Sequence, residues 1–198
     1  MSHKPKSAQH NGRTDWEKQL RFDMAYAEKV LLDHGELSAM FVVHTEDARH
    51  VLLTPWKDDH EKAMCRQAAR LWCIAHDAIA LTFITEAWIL SLTRAHGETD
   101  AEFEARKDAV MPRDAEDRIE VVMVVIAYRD AAGERQTLFE SREIERRANG
   151  KPGGLKAFAS NKSYEGLTGR MVDVLPEQAP SAVEQAAARA LLERMQAP

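Results

Sequence analysis

A carboxylate stands inside an apolar run, Phe83-Ile84-Thr85-Glu86-Ala87-Trp88-Ile89, and a second run, Arg118 to Arg129, opens on Arg118-Ile119-Glu120 before turning apolar on both faces. Strand alternation sets Glu86 on the same face as Ile84, Trp88 and Leu90. An ionised carboxylate on a buried face is costly unless a cation or several hydrogen bonds compensate it. By strand position, Arg118 and Arg142 are the expected partners of Glu86. The polar lead-in Met111 to Glu120 adds Arg113 and Asp117, so the candidate binding residues are Glu86, Trp88, Arg113, Asp117, Arg118, Glu120 and Arg142, gathered at one end of a sheet.

Two chemistries suit such a set. Paired charges can fix strand order or grip a polar ligand, whereas converging acidic oxygens can hold a divalent cation for hydrolysis. A hydrolytic site of that kind also wants a lysine near the second carboxylate, but Glu120 is followed by Val121 and Val122. If Glu86 is structurally paired, Glu86→Gln should destabilise by about 1–3 kcal/mol.

Other motifs are absent. Cys65 and Cys73 are the only cysteines; eight residues apart in one helix, their Cα atoms lie about 12 Å apart by helical rise, too far for a disulfide. None of the eight histidines falls in HExxH, although His44 and His50 straddle a hairpin turn as expected neighbours, and His76 suits the end of a helix. GxSxG and GxGxxG do not occur, and Asn149 to Gly154 lacks the spacing of a phosphate loop. No cofactor or metal is expected.

The formal net charge of −5 gives no general pull toward nucleic acid or an anionic membrane. Locally the stretch from Arg142 to Arg170 carries seven cations against three anions. It has only Phe158 and Tyr164 as aromatics, so nucleic acid is not an expected partner. No run reaches the roughly 18 apolar residues of a membrane helix. Residues 1–13 are polar and read as a disordered tail rather than a secretory signal, which leaves the cytoplasm as the expected location.

The elements that position the charged residues can be read from capping and periodicity. Thr14/Glu17, Asp58/Glu61, Thr99/Glu102 and Ser181/Glu184 each pair a capping residue with Glu three positions on. The first helix repeats Trp16, Leu20, Met24, Ala27 and Leu31 and stops at Gly35; the second repeats Met64, Ala68, Leu71, Trp72 and Ala75. Strands are expected at 39–44 and 49–54, joined as a hairpin, then at 79–92, 118–129 and 135–146, the last two turning at Gly133. Residues 14–146 thus predict an α+β core: one mainly antiparallel five-stranded sheet with helices on a face. A Gly- and Pro-containing loop follows over 147–180, with 171–175 a candidate short strand, and then a C-terminal helix within 181–198.

This α-β-β-α-β-β-β order is similar to the profilin-like and roadblock-like layouts, in which a helix links a hairpin to a meander. The likeness is one of topology and implies no functional residue. The functional expectation is a non-enzymatic binding or accessory protein that meets an unknown protein partner or another copy of itself. The alternative is a metal-dependent hydrolase using the carboxylates at the sheet end.

Overall fold

The computed structural model describes residues 14–90, 92, 94–110, 115–157 and 172–196. Its first helix, α1 (Trp16–His34), is capped by Asp15 rather than Thr14, the Asp15 carboxylate accepting from the Lys18 N–H. Aspartate is the stronger cap, and its charge suits the positive end of the helix. Gly35 ends α1 at φ 84°, a left-handed conformation that costs glycine little, and its N–H reaches the Leu31 carbonyl. Helix α2 (Asp59–Ala75) is capped by Asp58, α3 (Asp100–Ala109) by the full Thr99/Glu102 box, and α4 (Ala182–Gln196) by reciprocal bonds between Ser181 and Glu184.

Six strands form one antiparallel sheet: β1 (Met40–His44), β2 (Arg49–Leu53), β3 (Ala80–Ile89), β4 (Ile119–Arg129), β5 (Arg135–Arg146) and β6 (Pro152–Ala157), in the order β2-β1-β3-β4-β5-β6. The sheet therefore has one strand more than the five expected. β6 lies in the stretch read as loop because it opens Pro152-Gly153-Gly154, residues that punctuate most strands. An edge strand tolerates them, since its first residue needs no ladder donor. Gly153 also fits a tight place: a Cβ there would sit 3.1 Å from the Arg147 side chain.

The helices divide between the two faces instead of sharing one. α1 places Leu20, Met24, Ala27 and Leu31 on a core with Met40, Ile84, Val122, Val124, Ile126 and Ile144. On the other face, Ala69 and Cys73 of α2 meet Phe41, Val43, Leu81, Phe83 and Ala127. This is why β4 is apolar on both sides: each side has its own helix. The buried stripe of α2 is rotated from the expected one, leaving Met64 at the surface.

The chain's last part is tied down by arginines. A 3-10 turn, Val172–Val174, stands where a short strand was expected, and Val174 and Leu175 are fully buried on the α2 side. Arg129 donates to the carbonyls of Ala78 (2.6 Å), Pro176 and Gln178 (2.9 Å each), while Arg135 reaches Asp173 and the Leu175 carbonyl. α4 then packs Ala188 and Leu192 against Ala75, and Arg189 donates to the Ala75 carbonyl. Among the described residues no helix is long and apolar enough to cross a membrane.

Candidate functional site

The strand-end charges do meet, although not with the partners expected. Antiparallel register sets Glu86 opposite Val122 and Trp88 opposite Glu120. Period-two alternation therefore places Glu86, Trp88 and Glu120 on the α1 face, together with Arg142 and Arg146 of β5. Glu86 is half-buried and accepts a hydrogen bond from the Leu37 N–H in the segment entering β1. Burial raises its pKa; the Leu37 N–H opposes that, nearby Glu120 adds to it, and Arg146 counters it. The cation at the centre is Arg146, which holds both carboxylate oxygens of Glu120 in a fork (Nε to Oε2, 2.6 Å) and donates to the Gly150 carbonyl.

Neither arginine expected to pair with Glu86 does so. Arg142 turns to Glu140 (2.7 Å) and approaches Glu28 of α1 at 4.0 Å. Arg118 lies over the ring of Trp88, 5.4 Å from its centroid, and donates to the Ala115 carbonyl. Trp88 keeps nearly half its surface in water. Asp117 is exposed in the turn before β4, and Arg113 lies outside the described residues. The reason is geometric: an arginine side chain spans several residues, so the residue directly opposite need not be the partner.

A second polar centre escapes the sequence patterns altogether. On the same sheet face, toward the start of α1, Gln19, Asp23, His44 and Thr82 are all at least nine-tenths buried. Gln19 Nε2 donates to Asp23 Oδ1 (2.6 Å), Thr82 Oγ1 to Asp23 Oδ2 (3.1 Å), and His44 Nε2 lies 2.9 Å from Thr82 Oγ1. Arg49 of β2 extends the chain by donating to Gln19 Oε1. Trp16 presents its ring edge-on to His44 and stacks on Tyr128.

Burial governs the electrostatics of this chain. It raises the Asp23 pKa against the hydrogen bonds of Gln19 and Thr82 and the charge of Arg49. It also pushes His44 down to about 4, with Arg49 adding to the effect, so the imidazole is neutral at neutral pH. While Asp23 is ionised, Thr82 must direct its one proton to Oδ2 and accept from His44, which fixes the proton of His44 on Nε2. The available signal was faint: Thr82 and His44 each sit in an inward register position of an apolar strand, and Asp23 adjoins the apolar stripe of α1.

His44 and His50 are not neighbours. Adjacent register positions put them on opposite faces, and His50 joins Trp72 and His76 beside the end of α2. His76 is the C-cap of that helix, as its position suggested, but burial lowers its pKa, with His50 and Arg189 adding to the shift. Cys73 is buried, its thiol pushed up to about 12, and Cys65 is partly exposed. Among the described residues no group of three or more His, Cys, Asp or Glu is arranged to hold a metal ion. Comparison of the chain with family models, curated proteins and solved structures finds no match.

Proposed function

We propose that the chain is a cytoplasmic, non-enzymatic accessory protein that works by self-association along the edge strand β2. One observation carries this reading: β2 presents Val51 and Leu53 at 58% and 67% exposure on the face that α1 covers, and α1 itself leaves Phe22 and Tyr26 exposed. Apolar side chains exposed on an edge strand are what natural proteins otherwise blunt with charge, proline or a bulge.

The backbone adds direction. The bonds Thr54 N–H to Ala39 and Thr45 N–H to Ala48 bracket the hairpin and assign the even-numbered residues of β2 to the β1 ladder. Arg49, Val51 and Leu53 therefore turn their N–H and C=O groups to the open edge. A two-fold centred on Val51 would set Val51 against Val51 and Arg49 against Leu53, satisfying both edges with the same residues.

Light scattering after size exclusion tests this: the intact chain should run as a dimer at about 50 μM, and Val51→Lys or Val51→Pro as a monomer of unchanged secondary structure. The proline removes only an outward donor, so its effect separates edge pairing from simple apolar contact. A monomeric wild type would overturn the reading.

The hydrolase alternative finds less support. Arg146 occupies both oxygens of Glu120, and Asp117 stands apart in the exposed turn before β4, so among the described residues the carboxylates do not converge on one cation position. If a divalent cation nevertheless binds there, Mg²⁺ or Mn²⁺ must raise the melting temperature by mass action.

A further inference from the structure

A cavity of about 750 Å³ opens between the start of α1 and the β1–β2 turn, at the mouth of the buried polar chain. That volume lies in the range of small-ligand sites. His44 lines it while 96% buried, with Nε2 committed to Thr82. Nδ1 is then the ring's acceptor, and among the described residues nothing bonds it. The aromatic side chains of Trp16 and Phe22 stand on the wall. Charges of both signs share the rim: Lys18 and Arg49 against Glu46, Asp47 and Asp15, the last already accepting from the Lys18 N–H.

We infer that this cavity binds a small zwitterion of the aromatic amino-acid type. Its ammonium group donates to His44 Nδ1 and faces Glu46 and Asp47, its carboxylate faces Arg49 and Lys18, and its ring rests against Phe22. Each part of the lining then meets its complement. A simple anion would face three carboxylates, and a simple cation the guanidinium and ammonium. A neutral imidazole accepts a hydrogen bond where an imidazolium would repel the ammonium. The buried chain Asp23–Thr82 fixes which nitrogen is offered, as a carboxylate behind a histidine does in other sites. This cavity shares Arg49 and Phe22 with the proposed dimer edge, whereas Val51 and Leu53 do not line it, so the monomeric Val51→Lys variant should still bind the ligand if the two are separate.

Calorimetric titration of the intact chain with free L-phenylalanine, its N-acetyl derivative and its methyl ester tests the inference. Phenylalanine should bind saturably, and each derivative, having lost one charge, should bind at least about tenfold more weakly. Arg49→Met should narrow the difference between phenylalanine and the ester, and Glu46→Gln should narrow the difference from the N-acetyl form. Both replaced residues are exposed, so the fold should survive and circular dichroism can confirm it. No heat and no rise in melting temperature up to about 10 mM phenylalanine would overturn the inference. So would an Arg49→Met variant that discriminates against the ester as fully as the wild type.

Discussion

Two polar centres share the α1 face of the sheet and solve the problem of burying polarity in opposite ways. At one end, Glu120 and Arg146 keep full charges and about a quarter to a third of their side-chain surface in water. At the other, Thr82 is sealed completely and the histidine beside it gives up its charge. Partial exposure lets the ion pair retain some hydration, so breaking it returns its members to solvent at small cost. Inside the sealed chain a lost partner cannot be replaced by water, and the full desolvation cost appears.

The sharpest way to break this contrast is Thr82→Val. It nearly preserves shape but strands His44 Nε2 and one oxygen of Asp23, and should cost about 2–4 kcal/mol in urea unfolding, with unchanged slope. Arg146→Met, at the exposed end, should cost only about 1 kcal/mol, and less in high salt. Equal costs for the two variants would show that the centres do not differ as described.

The pH dependence separates them further. With a folded pKa of about 4 against an ordinary 6.5, His44 takes up its proton in the unfolded chain first, so its share of stability is full above 6.5 and is lost as pH falls toward 4. Asp23, with a raised pKa, works in the opposite sense and gains stability on protonation. His44→Gln should therefore lose less stability than wild type between about pH 7 and pH 4.5, measured by denaturation at each pH.

The smallest effect is expected at Glu86. Its pairing with an arginine predicted a loss of about 1–3 kcal/mol for Glu86→Gln. The observed partner is the Leu37 N–H, which a glutamine oxygen serves equally well, and burial makes the ionised form the costly one. Glu86→Gln should be close to neutral at neutral pH. The wild type, by contrast, should gain stability relative to the variant as Glu86 protonates on acidification. A thermal melt at two pH values checks both statements.

Much of the scaffold was legible because its signals are local. Caps at Asp58, Thr99 and Ser181, the Gly35 stop, and the strand at 135–146 were readable from neighbouring residues. β6 was not, since Pro152 and Gly153 are poor strand formers and owe their place to pairing with β5. Of the strand-end cluster, Glu86, Trp88, Arg118 and Glu120 were foreseen; Arg146 was not, because choosing among arginines requires knowing where each side chain ends.

The amino-acid order by itself determined the helices, five of the six strands and the apolar character of both sides of β4, since backbone capping and side-chain periodicity act over a few residues. Only the tertiary structure decided that α1 and α2 take opposite faces, that Arg146 rather than Arg118 or Arg142 answers the acidic pair, and that Asp23, Thr82 and His44 form one chain. Those contacts join residues far apart in the chain, 59 positions in the case of Asp23 and Thr82. Their worth depends on water being excluded, a condition that exists only once the sheet and its helices have closed around them.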